Sequence, residues 1–129
     1  MGQRHLIDSN VIIDYTANSL SSKGSDFVEQ LFDSDFLISV VVKIEVLGFA
    51  DFPAKLKAME EFVNAASVLP LDETIAIQAI QLRRKHKKLK LGDAIIAATA
   101  LVYNLTLITR NISDFKNISE LKTINPHKL

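Results

Sequence analysis

Four carboxylates, Asp8, Glu45, Asp93 and Asp114, each stand where an apolar run meets a turn, within Leu6-Ile7-Asp8-Ser9-Asn10, Ile44-Glu45-Val46, Leu91-Gly92-Asp93-Ala94 and Ile112-Ser113-Asp114-Phe115. Taken singly, the three aspartates have an ordinary account as helix N-caps, each worth about 1 kcal/mol. Glu45 does not, because it lies in an apolar segment where an unpaired ionised carboxylate is expensive, so it needs a cation or a donor. If the four converge, their mutual repulsion either raises a pKa or demands a divalent ion. Of the two, the ion is the commoner natural solution. Asn10, Thr109 and Asn111 stand close to these acids in sequence and could orient them or bind a metal-held water, though Asn is common in turns and Thr at strand ends.

The remaining composition narrows the metal. Cysteine is absent from the 129 residues, which removes disulfides and thiolate sites, and the three histidines, His5, His86 and His127, form no spaced pair. Hard cations such as Mg2+ or Mn2+ remain. No apolar stretch approaches the roughly 20 residues needed to span a bilayer and no signal peptide is evident, so a soluble cytoplasmic protein is expected. Net charge is zero from 15 basic and 15 acidic residues, but six of the basic ones fall in Arg83–Lys90, a segment with no acid. That run has two compatible readings: cations complementing a helix C-terminus, or side chains such as Arg84, Lys87 and Lys88 that hold phosphates near the acidic pocket.

Positioning those residues requires alternating strands and helices. Arg4–Ile7 reads as a buried strand and Val11 onward as a helix, placing Asp8 at a strand's carboxyl end. Phe27, Val28, Leu31 and Phe32 mark an amphipathic helix over about residues 25–34. The β-branched run Phe36–Val41 suits a second strand, and Lys43–Phe49 a helix carrying Glu45. Pro53 opens another helix before a short strand at Ser67–Leu69, and Asp72 is a natural N-cap for the helix that ends in the basic run. Gly92 separates that run from Ala94–Tyr103, apolar nearly all round and so a central buried helix. Leu105–Ile108 gives a fourth strand, and Thr123–Ile124 a fifth. Such alternation implies a parallel sheet with helices on both faces and ligands bound beyond the carboxyl ends of the strands.

In four ordered segments the chain resembles the PIN domains, and more narrowly the VapC-type toxins of toxin–antitoxin pairs: Leu6–Asp14, the Glu45 segment, Lys90–Ala100 and Leu107–Phe115. The resemblance covers nearly the whole chain. It implies a three-layer α/β/α fold with a central parallel five-stranded sheet, one domain over residues 1–129, and Asp8, Glu45, Asp93 and Asp114 as metal-binding and catalytic acids. The implied activity is Mg2+- or Mn2+-dependent endonucleolytic hydrolysis of RNA, with Asp8, Glu45 and Asp93 as the main ligands and Asp114 binding a second ion or orienting water. The implied partners are RNA, a cognate antitoxin and a second copy of the chain, with Val11, Ile12, Tyr15, Phe27, Leu31 and Phe32 as apolar surface for a docking groove, if core packing does not claim them. Two positions depart from many relatives: Val42 where they have a hydroxyl, and Gly92 where they have a proline, which leaves a looser approach to the helix bearing Asp93.

Two other readings compete. A haloacid-dehalogenase-like phosphatase also begins with an aspartate after a strand, but it needs a second acid two residues later, where this chain has Asn10, which cannot donate a carboxyl proton. A catalytically inactive PIN-like domain that only binds RNA or protein would keep the acids and lose the substrate path.

Overall fold

The structure, a computed structural model, describes residues 4–49 and 51–129. In chain order the elements are β1 (His5–Ile7), α1 (Ser9–Thr16), α2 (Ser22–Phe32), β2 (Leu37–Ser39), α3 (Val40–Phe49), α4 (Pro53–Ala65), β3 (Ser67–Leu69), α5 (Glu73–Lys85), α6 (Leu91–Val102), β4 (Thr106–Ile108), α7 (Ile112–Phe115) and β5 (Thr123–Ile124), with a final 3-10 turn at Pro126–Lys128. The five strands form one parallel sheet in the order β3-β2-β1-β4-β5. Helices connect and cover it in the three-layer arrangement expected from the alternation.

Burial explains the order. The central strands β1, β2 and β4 carry Leu6, Ile7, Leu37, Ile38, Leu107 and Ile108, all buried, whereas the edge strands β3 and β5 are only partly covered. Residues buried on both faces of a parallel sheet need no alternating polar side, and each Leu or Ile so placed contributes about 1.5–3 kcal/mol. Helix α6 is buried without interruption from Ala94 to Ala100, as its apolar run predicts, and packs along α5. Its small alanines allow that close approach. Thr99, inside this buried stretch, donates its hydroxyl to Ile95 O at 2.7 Å, so no polar atom is stranded.

Sheet order also fixes where a ligand can go. From β1 the chain builds outward through β2 and β3, then returns to add β4 and β5 on the other side. The crevice at that reversal, beyond the carboxyl ends of β1 and β4, is where open parallel sheets bind ligands. Ile7 pairs with Ile108, and the ladder extends one step further through Asp8 N donating to Ile108 O at 2.9 Å. Asp8 and Thr109 therefore emerge side by side at the switch point.

Among the boundaries that differ from expectation, three bear on the argument. The second strand ends at Ser39 rather than Val41, because the Ser39 hydroxyl accepts from Val41 N at 3.1 Å and turns the chain directly into α3 despite three consecutive valines. Helix α2 starts earlier, at Ser22, because the Ser21 hydroxyl caps Gly24 N at 3.1 Å. Helix α6 starts at Leu91, so Gly92 lies inside its first turn rather than before it. Asp72 caps α5 as expected, accepting from Ile75 N at 3.0 Å. Within the groove expected on the first two helices, Val11, Ile12 and Leu31 belong to the core. Tyr15, Phe27 and Phe32 are half-buried, and Tyr15 and Phe32 join Phe36 and Phe62 in an edge-packed aromatic cluster.

Candidate active site

Asp8 is the fixed point of the site. It ends β1 and caps α1, and its buried carboxylate is held from both sides: Oδ1 accepts from Ser9 N at 2.8 Å, while Oδ2 accepts from the Thr109 hydroxyl at 2.8 Å and from Asn10 Nδ2 at 3.2 Å. Thr109, with no exposed surface, uses its full capacity: one proton given to Asp8, and lone pairs facing Asn111 N at 3.1 Å and Asn10 Nδ2 at 3.4 Å. Asn10 Oδ1 in turn accepts from Arg110 N at 2.9 Å, tying α1 to the loop after β4. Burial pushes the Asp8 carboxyl above its ordinary pKa, and the hydrogen bonds from Thr109, Ser9 and Asn10 oppose the rise.

Glu45 corrects one expectation. It is not enclosed by its apolar neighbours: Ile44 is 67% exposed, and α3 buries only Val42 and Val46. Adjacent residues on a helix point about 100° apart, so apolar flanks do not predict burial there. The Glu45 side chain instead leans over the cleft toward α1, where the Ser9 hydroxyl lies 3.3 Å from Oε1 and 3.5 Å from Asp8 Oδ1. Its carboxyl is raised by partial burial and then by repulsion from Asp8.

Asp93 sits in the first turn of α6, and its carboxyl is pushed up to about 6 by burial, then by repulsion from Asp8, Asp114 and Glu45, with Lys90 opposing. Those four acids therefore share one electrostatic neighbourhood. They do not form a closed coordination shell: among the described residues no three His, Asp or Glu side chains are gathered tightly enough to hold an ion.

Two adjoining clefts give the site its shape. The first, of about 370 Å³, is lined by Asp8, Asn10, Glu45, Asp93 and Asn111 together with Ser9, Asp14 and Arg110. The second, of about 380 Å³, holds Asp114, Ser113 and Lys88, Lys90 and Lys116. Asp93 belongs to both and forms the wall between them. Of the basic residues singled out from sequence, Lys88 lines the second cleft, whereas Arg84 is exposed on the last turn of α5, Lys87 is exposed in the turn after it, and neither lines either cleft.

A group not anticipated from sequence forms one rim. Asp14, buried on α1, receives Arg110 Nη1 at 3.0 and 3.1 Å and has His127 Nε2 at 2.8 Å. Its signal was available: an acid inside Val11-Ile12-Ile13-Asp14, four residues after Asn10 and so on the same helix face. Arg110 and His127 carry no comparable local sign. The pairing fastens the 3-10 turn to the cleft and occupies His127, leaving an oxygen-only donor set around Asp8 that fits a hard divalent cation. Among the described residues no helix is long and apolar enough to cross a membrane.

Residues 5–121 match the PIN domain family model. The chain is 32% identical over 121 residues to ribonuclease VapC10 of Mycobacterium tuberculosis, covering 91% of this chain and 90% of that protein. It is 27% identical over 127 residues to ribonuclease VapC1 of Haemophilus influenzae, covering 92% and 94%. A solved toxin–antitoxin complex from Klebsiella pneumoniae contains a chain that superposes with a TM-score of 0.78 at 29% identity, over 95% of this chain and 97% of that one. With a family match over residues 5–121, relatives matched over nine-tenths of their length and a shared fold, this chain belongs to the PIN domain family, among the VapC proteins.

Proposed function

We propose that residues 1–129 form a single PIN domain acting in the cytoplasm as a divalent-metal-dependent endoribonuclease, the toxin of a toxin–antitoxin pair. The observation that carries this reading is a buried Asp8 carboxylate, fixed by Ser9 and Thr109, lining one cleft with Glu45 and Asp93. Asp8, Glu45 and Asp93 would hold the ion, and Asp114, across the Asp93 wall, would hold a second ion or orient a water. Bound Mg2+ or Mn2+ would supply Lewis acidity and a water of lowered pKa. Ser9, Asn10 and Thr109 fix the Asp8 oxygens, and Asn111 braces Thr109 through its backbone amide. Arg84, Lys87 and Lys88 attract RNA toward a site whose own acids repel it.

The protein partner is a cognate antitoxin, in keeping with the named complexes of structural relatives, and the working form is a homodimer. Half-buried Phe32 and Phe62 border an apolar cleft of about 240 Å³ suited to such a partner's hydrophobic side chains. Incubating purified protein with RNA and Mg2+ or Mn2+ should give internal cuts leaving 5′-phosphates, abolished by chelation, by Asp8→Asn and by the antitoxin. Equal cleavage by wild type and Asp8→Asn would remove the assignment, and RNA binding without cleavage under either metal would favour the noncatalytic reading.

A further inference from the structure

The second cleft has a composition that the fold does not require. Lys88 and Lys90 reach it from the segment between α5 and α6, and Lys116 from the residue after α7, so three ammonium groups converge from two separate parts of the chain. None is in an ion pair: among the described residues the only such pairs join Asp14 to Arg110 and to His127. A helix-end role does not explain Lys88 and Lys90, because α5 has already ended at Lys85. Lys90 is the N-cap of α6 and makes no capping bond; a cation there opposes the helix dipole. The positive charge is therefore held at some cost beside Asp93, close enough to lower that residue's pKa.

Polar neutral groups complete the lining, with Ser113 and Asn117 beside the lysines and Asp93 and Asp114 at the border with the acidic cleft. A phosphodiester fits this arrangement: lysines supply charge without demanding one geometry, and hydroxyl and amide groups supply donors. From this juxtaposition we infer that the Lys88–Lys90–Lys116 cleft binds the RNA backbone phosphate next to the cleaved bond, on one side only, with the cleaved bond over Asp93. The inference rests on the ribonuclease reading and adds a direction to it, since the strand crosses the Asp93 wall from the acidic cleft to the basic one. It also separates Lys90 and Lys116 from the more distant Arg84 and Lys87.

Binding of a short single-stranded RNA to Asp8→Asn protein, measured across a salt series, tests the site without turnover. Combining Lys88→Gln, Lys90→Gln and Lys116→Gln should weaken binding at least tenfold at low salt and make the log–log salt slope shallower by about 0.7, the contribution of one neutralised phosphate of a single strand. Lys23→Gln with Lys57→Gln, on α2 and α4, should keep the original slope. In a second arm, cleavage by the otherwise wild-type protein is measured on RNAs carrying one uncharged methylphosphonate at successive positions. The loss should peak at a position flanking the cut on one side, and that peak should disappear in the triple-lysine variant. An unchanged salt slope, absence of RNA binding, or a positional profile indifferent to the three lysines overturns the inference. Absence of cleavage by the wild type under either metal overturns the ribonuclease reading instead, and the binding arm still decides the lysines.

Discussion

Replacing Asp93 by Asn should stabilise the metal-free protein at neutral pH while removing its response to metal. In the folded protein the Asp93 carboxyl is raised from 3.8 to about 6, first by burial and then by Asp8, Asp114 and Glu45. Between those values the folded chain retains a proton that the unfolded chain has lost, so stability falls as pH rises through that window and stays lower above it. The full displacement corresponds to ~3 kcal/mol, which solvent screening of the partly exposed carboxylate reduces to about 1–2 kcal/mol. Asn carries no charge and escapes the repulsion. In urea or thermal unfolding with chelator at pH 7.5 and low salt, Asp93→Asn should exceed wild type by about 1–2 kcal/mol, or about 4–8 °C at this length. Near pH 4 the two should coincide. Mg2+ or Mn2+ at a hundredfold excess over its dissociation constant should then raise wild type by about 2.7 kcal/mol and Asp93→Asn by little, reversing the order. A variant no more stable than wild type at pH 7.5 without metal would refute the claim that these acids strain one another.

Three further outcomes follow from particular contacts. Thr109→Val keeps the volume but removes the 2.8 Å donor to Asp8 and the acceptor for Asn111 N, and should cost about 2–3 kcal/mol in urea unfolding and weaken metal-induced stabilisation. Gly24→Ala and Gly48→Ala should have opposite signs in the same assay. A Cβ at 24 would clash with the Pro126 carbonyl oxygen and cost about 1–3 kcal/mol or more, whereas one at 48 meets nothing within 4 Å and should gain about 0.5–1 kcal/mol. Asp14→Asn removes the charged partner of Arg110 and His127 and should cost about 1–3 kcal/mol, visible as faster amide exchange at residues 127 and 128; unchanged exchange would show that the pairing does not hold the turn.

The strands at β1, β2 and β4 were legible because residues buried on both faces leave uninterrupted apolar runs, and α6 because an all-apolar run ending near Asn104 has room only in the core. Asn104, with φ of 53°, sits just past that helix in the left-handed conformation that Asn tolerates. The end of β2 was not legible, because three valines outweighed the single serine that turns the backbone. The cap role of Asp8 was legible because its partner, Ser9 N, comes from the next residue in the chain. Glu45 was singled out on a mistaken ground: its position over the cleft comes from the docking of α3 beside α1, not from Ile44 and Val46. Asp14, Arg110 and His127 meet only after β4 and the last turn have been placed, and no local pattern encodes that meeting.

That last turn is held at two points. Asp14 grips His127 from α1, and the Pro126 carbonyl lies against the bare Cα of Gly24 on α2. A change at either position moves the same three residues, so their energetic effects cannot be independent. The double variant Asp14→Asn, Gly24→Ala should cost less than its two single changes added together, because a turn already released by one has little left to lose to the other. Two positions on separate helices are thus joined in what substitutions they tolerate, through a turn that belongs to neither.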